Sequence, residues 1–335
     1  MSETILKSLS CVRRYEGNPV LTGADAPYAS SLVFNAGVIR WKGGYAVAFR
    51  NDYGCTEEEW AQGKRFTGTN IGLAFSPDGV HWTVEPEPVM ELKDREIQRA
   101  YDPRLTVIDG EVFMTFAVDT RHGLRGGIAR TKDLKRYEII SMSVPDNRNM
   151  VLFPEKVNGM YLRLERPMPV YSRGRDRFDI WMSESPDLVY WGNATLVAGV
   201  EDFPWANDKI GPGAPPVKTD RGWLVFTHAV DRDESRGKNG WEGKWGKRYC
   251  AGMLLLDLRD PRKVIGICRE PLLAPEAVYE TDVGFRTNVI FPTAAIAEDD
   301  GTVKIYYGAS DTVIALATAR IDDLVDACLA GGPRR

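Results

Sequence analysis

Residues 34–50 read FNAGVIRWKGGYAVAFR, two apolar runs hinged on WKGG, and GLAFSPDGVHW (72–82) follows as a third run closed by a polar turn. The glycine pair suits the positive φ angles that a tight hairpin requires, so 34–50 predicts two antiparallel strands. The phrase then returns four times. Its strand pairs are Tyr101–Phe116, Asn149–Arg166, Gly213–His228 and Asn288–Gly308, hinged on IDGE, VNGM, TDRG and EDDG. Third runs follow as GIARTKDLKRY, IWMSESPDLVYW, MLLLDLRDPRKV and IALATARIDDL. In SPDGVHW and SPDLVYW, Ser, Pro and Asp stand where a type I turn places them, and an aromatic residue can pack back.

A unit that cannot bury both faces alone, repeated at this spacing, predicts a solenoid or propeller. Five radial sheets make an all-β, five-bladed β-propeller, which keeps edges short and leaves a central channel. A β-sandwich would account for short strands but not for the repeated three-strand phrase. Helical spacing is confined to the C-terminal DDLVDACLAG, which GGPRR then breaks, so one short C-terminal helix is expected. The 335 residues are read as one propeller domain, because repeated β architectures commonly run this long.

Composition narrows the partners. A net charge of -4 argues against a nucleic-acid surface, which carries a basic excess. The five cysteines are scattered, odd in number and without a C-x-x-C pair, as expected of reduced thiols in a cytoplasmic protein. No apolar run approaches the ~20 residues that span a bilayer, and the N-terminus lacks a signal-peptide pattern. With three histidines in no metal-binding spacing, no metal site is expected. GKNGWEGK lacks P-loop spacing, and no G-x-S-x-G elbow occurs.

The remaining chemistry-bearing residues gather at the open ends of the strand pairs: Asn35 and Arg50, Tyr101 and Asp102, Arg148 and Arg166, Lys209 and His228, Asn288 and Asp311. A radial array brings these ends together, and one acid with several cations and amides suits a sugar plus an anion. Each has a plainer reading. Asp102 before Pro103 is a frequent turn pair, Arg166 could pair with Glu165, and His228 could be a satisfied core residue. Their shared position in the repeat favours the functional reading. Two segments break the rhythm: Cys55–Thr69, and Asp231–Arg248, read either as a solvated loop or as a mobile flap presenting Trp241 or Trp245 for stacking.

YDPRLTVIDG, NRNMVLFPEK, RLERP, KIGPGAPPVKT, GWLVFTHAV, NVIFPTAAI and IYYGASDTVIALA, in this order between Asn18 and Ala317, resemble the mannoside phosphorylases of glycoside hydrolase family 130. The resemblance implies a five-bladed propeller and inverting phosphorolysis of β-mannosides to α-mannose 1-phosphate. It implies that Asp102 is the general acid, that Arg148, Arg166, Lys209 and His228 bind phosphate, and that Asn35, Arg50, Tyr101 and Asp311 surround the transferred mannose. In the family the proton is thought to pass through a sugar hydroxyl. Ala36 stands where relatives often carry serine, and Glu165 where they often carry histidine, and either could alter which mannoside fits.

Physical logic runs alongside. An inverting glycosidase needs an acid and, on the opposite face, a base that activates water. Phosphate is already anionic, so one carboxyl and a cationic nest suffice, with no cofactor beyond phosphate as co-substrate. The expected partners are a β-mannoside oligosaccharide and inorganic phosphate; relatives often form homo-oligomers, although no interface pattern is legible here. β-1,4-Linked mannosides to mannose, glucose or N-acetylglucosamine lead, with β-1,2-mannobiose as the alternative. A phosphate-independent β-mannosidase would need a second carboxylate, for which Asp311 or Glu155 stands available. A non-catalytic interaction propeller would not need the polar cluster.

Overall fold

Each of the five phrases folds into its own antiparallel sheet, and no hydrogen-bonded strand is shared between sheets. The computed structural model describes residues 6–169, 178–237, 239–243 and 245–334. The first blade runs outward through Leu32–Trp41, Gly44–Tyr53, Gly68–Ser76 and Thr83–Val84. The second comprises Ile97–Ile108, Glu111–Thr120, Gly123–Thr131 and Glu138–Met142, and the third Asn147–Leu152, Tyr161–Pro167, Ile180–Ser185 and Gly192–Ala198. Lys209–Pro212, Trp223–Arg232, Lys247–Leu256 and Val264–Ile267 build the fourth, and Ile290–Ala297, Thr302–Ala309 and Val313–Arg320 the core of the fifth. The first strands of neighbouring blades pack on one another around a central channel, which makes the molecule a five-bladed β-propeller. The C-terminal helix, Ile321–Ala330, buries Leu324, Val325 and Cys328 against the fourth and fifth blades.

The hairpins form for the reason anticipated. Lys42–Gly43, Asp109–Gly110 and Asn158–Gly159 each place two consecutive residues at positive φ, the demand of a type I′ turn whose twist matches its strands. Three features depart from the sequence reading. Every blade carries a fourth, outer strand too short or too polar to stand out, such as the two-residue Thr83–Val84. The fourth inner strand begins at Lys209 rather than Gly213. It is interrupted before Val217–Lys218 because the prolines at 215 and 216 have no N–H to add to a ladder. The fifth blade takes its outer strand, Arg13–Arg14, from the other end of the chain, paired with Thr318 and Ala317. Arg14 fastens this closure through the buried carboxylate of Glu280, at 2.8 and 2.9 Å.

One irregularity positions the site. In the first three blades the inner strand loses register between Phe34 and Gly37, between Tyr101 and Arg104, and between Arg148 and Val151. Asn35, Asp102 and Asn149 occupy these bulges with φ of 50°, 55° and 55°. The left-handed conformation costs a non-glycine residue about 1–3 kcal/mol. Asn and Asp tolerate it best, and the bulge re-aims their side chains at the head of the channel.

Candidate functional site

A cavity of about 270 Å³ opens where the inner strands begin, and Asn35, Arg50, Tyr101, Asp102, Arg148, Arg166 and Asp311 all line it. Seven of the nine expected residues thus meet. Lys209 and His228 do not reach its surface. Lys209 lies over the Tyr249 ring, 5.4 Å from Nζ to the ring centroid, and His228 stacks on the same ring at 6.1 Å. Both of these fourth-blade residues stand against Tyr249, which is itself in the wall.

Asp102 sits at the meeting point of three blades. Its Oδ1 accepts from Asn35 Nδ2 at 3.0 Å and from Arg50 Nη1 at 3.4 Å. Arg50 is held in turn by both oxygens of Asp52 and sandwiched between the Phe34 and Tyr101 rings. Burial alone would raise the Asp102 pKa. Arg50, Arg104, the Asn35 amide and Arg148 outweigh it and hold the carboxyl below its ordinary range. Asp311 behaves oppositely: burial dominates, and its pKa is raised despite Arg286 at 3.3 Å.

In the cavity wall, Arg166 is buried and Arg148 half-buried, and among the described residues neither guanidinium makes an ion pair with a carboxylate. Arg148 donates to the Tyr101 hydroxyl at 3.2 Å, which donates to Asp119 at 2.7 Å. Arg166 Nη1 lies 3.1 Å from His228 Nε2, and since arginine only donates, His228 accepts as a neutral imidazole. Burial, then the neighbouring Arg166, Lys209 and Arg104, drive its pKa well below the usual value. Burial followed by Arg148 lowers the Arg166 pKa to about 9, and burial followed by Arg166 and Lys247 lowers Lys209 to about 6. Two guanidinia that among the described residues make no ion pair with a carboxylate are an arrangement suited to an anion.

The plainer readings fare unevenly. Glu165 does not pair with Arg166; it points to the other face of its strand, where it meets Arg163 at 2.7 Å and Asn147 at 2.8 Å. Glu155 lies at the surface with Lys218, so it offers no second carboxylate to the cavity. Asn288 binds Asn239 rather than lining the site.

The two rhythm-breaking segments add Trp60, Phe66 and Glu242 to the wall, beside Phe285, Arg286 and Val289 from the approach to the fifth blade and Phe291 from its first strand. Cys55–Thr69 contains a short helix, Glu57–Ala61, started by a Thr56–Glu59 capping box, and it presents Trp60 and Phe66 to the cavity. These pack with Phe285 and Trp241, Trp60 meeting Phe285 edge-on at 5.0 Å. The Asp231–Arg248 segment is fastened, not a free flap. Asn239 donates to the Thr287 and Lys247 carbonyls, Trp241 N–H bonds Phe285 O, and Glu242 grips Arg286 through both oxygens. Trp241 is part of the aromatic cluster, and Trp245 stacks on Tyr249 with Arg286 over its own ring. Lys238 and Lys244 lie outside the described residues.

Sequence reasoning passed over Asn149, Tyr249, Arg286, Glu242 and Arg99. Asn149 was within reach, since it occupies the same bulge as Asn35 and Asp102. Arg99 lies on the inner strand of the second blade ahead of its bulge, Tyr249 on the third strand of the fourth blade, and Glu242 and Arg286 in connections, none at a position the repeat marks.

Known proteins agree with this geometry. The sequence profile of glycoside hydrolase family 130, described as beta-1,4-mannooligosaccharide phosphorylase, matches residues 10–330. The beta-1,4-mannooligosaccharide phosphorylase of Ruminococcus albus is 35% identical over 328 residues, covering 93% of this chain and 89% of the relative. A 1,2-beta-oligomannan phosphorylase of Thermoanaerobacter sp. is 32% identical, covering 93% and 98%. The solved beta-1,2-mannobiose phosphorylase of Listeria innocua, in complex with beta-1,2-mannobiose, superposes with a TM-score of 0.80 at 26% identity, over 95% of this chain and 99% of that one. Blade order, an acid at the bulge of the second blade and a near-complete match of this length have one explanation: the chain belongs to glycoside hydrolase family 130.

Proposed function

We propose that this enzyme is a mannoside phosphorylase that cleaves β-1,4-linked mannosides with inorganic phosphate, releasing α-mannose 1-phosphate and the shortened acceptor. The observation that carries the reading is the pair of guanidinia, Arg148 and Arg166, that line the same cavity as Asp102 and among the described residues make no ion pair with a carboxylate. Phosphate oxygens suit two arginine forks, and Lys209 behind them adds charge when protonated. Phosphate attacks the anomeric carbon from that side while Asp102 supplies the proton that the leaving oxygen takes up. Inversion follows from attack opposite the departing group.

The low pKa of Asp102 has a consequence for this scheme. Phosphate beside Arg148 offsets one of the cations that keep the carboxylate ionised, so Asp102 gains its proton more readily once phosphate is in place. Asn35, Arg50, Tyr101 and Asp311 fall to the transferred mannose, and the aromatic wall of Trp60, Phe66 and Phe285 to the acceptor. A hydrolase is disfavoured because the other carboxylates lining the cavity, Asp52, Glu242 and Asp311, are engaged by Arg50 and Arg286.

A β-1,2 linkage is the second reading, favoured by the 1,2-acting relatives at similar identity. Incubation with β-1,4- and β-1,2-mannobiose and mannosyl-glucose, with and without phosphate, tests both. Phosphate-dependent α-mannose 1-phosphate from the 1,4-linked compounds supports the proposal. Equal turnover without phosphate, yielding free mannose, overturns it.

A further inference from the structure

Arg104 does not line the cavity, yet it is among the largest fully buried side chains of the molecule. It lies two residues beyond the bulge that carries Asp102. The corresponding positions of the first and third blades hold Gly37 and Val151, so the charge is peculiar to the second blade. Gly37 makes room for it: a Cβ there would stand 2.9 Å from Arg104 Cα and 2.5 Å from Leu105 N.

The guanidinium reaches across the channel. Nε donates to Gly213 O on the fourth blade at 2.9 Å, Nη1 donates to Asp102 O at 2.7 Å, and the Phe291 ring of the fifth blade lies 5.3 Å away. Asp102 and Pro103 are the two residues that drop out of the strand register, and Pro103 has no N–H. Without Arg104 the Asp102 carbonyl would be buried in a bulge with no ladder partner. The remaining arm, Nη2, is buried without a partner, and burial lowers the Arg104 pKa to about 10. A brace alone needs no such charge. Its proximity to Asp102 supplies the reason.

We infer that Arg104 is a positioning residue for Asp102: it braces the left-handed peptide that turns the carboxylate into the cavity and, from beneath the floor, helps keep that carboxylate ionised. It rests on the reading that Asp102 delivers a proton to a mannoside leaving group. The other groups around Asp102 are Arg50 and Asn35 from the first blade, Arg148 from the third and Asp311 from the fifth. None of them holds the Asp102 backbone.

The test compares R104Q, which removes the charge, with R104K, which keeps it but loses the fork. Each is assayed for phosphorolysis across pH with a natural disaccharide and with dinitrophenyl β-mannoside, whose leaving group needs no proton. R104Q should slow the disaccharide about 10- to 100-fold while sparing the activated substrate. Its alkaline limb, set by loss of the Asp102 proton, should move upward by about one pH unit. R104K should keep the limb and lose only rate. Equal losses on both substrates with an unmoved limb would make Arg104 a structural brace and overturn the inference. A readout free of activity accompanies it. In protein labelled with carboxyl-¹³C aspartate, the Asp102 resonance, assigned through D102N, should titrate higher in R104Q than in wild type or R104K. Unchanged titration overturns the inference even where turnover is absent, whereas failure of the parent reading appears as wild-type protein that makes no mannose 1-phosphate.

Discussion

The cavity has two halves built by different means. Asn35, Asp102, Arg148 and Asn149 stand on inner strands at repeat landmarks, and Arg166 on the neighbouring strand of the third blade. Trp60, Phe66, Phe285, Glu242 and Arg286 arrive on connections between strands and hold one another through ring contacts and ion pairs. The first half includes two guanidinia, Arg148 and Arg166, that among the described residues make no ion pair with a carboxylate; in the second, Glu242 and Arg286 pair with each other. Scaffold-borne groups are fixed by ladders and suit chemistry, whereas loop-borne groups can change without disturbing the blades and suit selection among acceptors.

Breaking the scaffold half should have the larger effect. Asp102→Asn keeps a residue that tolerates the left-handed bulge, as Asn35 and Asn149 do, so the fold should persist. Turnover of unactivated mannosides should fall about 10²- to 10⁴-fold, with the melting temperature as control. Arg148→Ala should raise the KM for phosphate about 10- to 100-fold with little change in the KM for mannoside. An unchanged phosphate dependence would remove Arg148 from the anion site.

The loop half should respond more gently and in a different parameter. Trp60→Ala should weaken acceptor use about 3- to 10-fold in the synthetic direction, leaving phosphate saturation untouched. Failure of that split would mean that the two halves are not functionally distinct. The smallest effect concerns Lys209. Burial, with Arg166 and Lys247 nearby, lowers its pKa to about 6, so full charge is present below that pH and binding an anion above it requires proton uptake. Sulfate, whose charge is constant in this range, should therefore inhibit less as pH rises above about 6, by roughly twofold to threefold because the guanidinia retain most of the attraction. Lys209→Met should flatten the trend.

The same division explains what the sequence could reveal. Hairpin glycines, apolar runs and the aspartate of YDPR are local signals, so the blade count, the inner strands other than the fourth and the place of Asp102 in the cavity were legible. The positions of Lys209 and His228 behind Tyr249 were not, because a repeat landmark locates a backbone and says nothing of a ring interposed from the next strand. Nor was the fastening of the Asp231–Arg248 segment. Its charge and glycine content resemble a solvated loop, and the restraint comes from Asn239 meeting Thr287, a partner far along the chain. The outer strand of the fifth blade was hidden for the same reason: two arginines carry no strand pattern until their partner is known.

That last strand also sets a clock. Arg13 and Arg14 leave the ribosome early, and their partners Thr318 and Ala317 come ~300 residues later, roughly 15 to 60 s at ordinary synthesis rates. Throughout that interval four blades can form, but the fifth cannot be completed and the ring stays open. The anion site draws on blades two, three and four, so its cations are crowded together before the final latch can close. A ligand that neutralises them would serve the nascent chain before it ever served as a substrate.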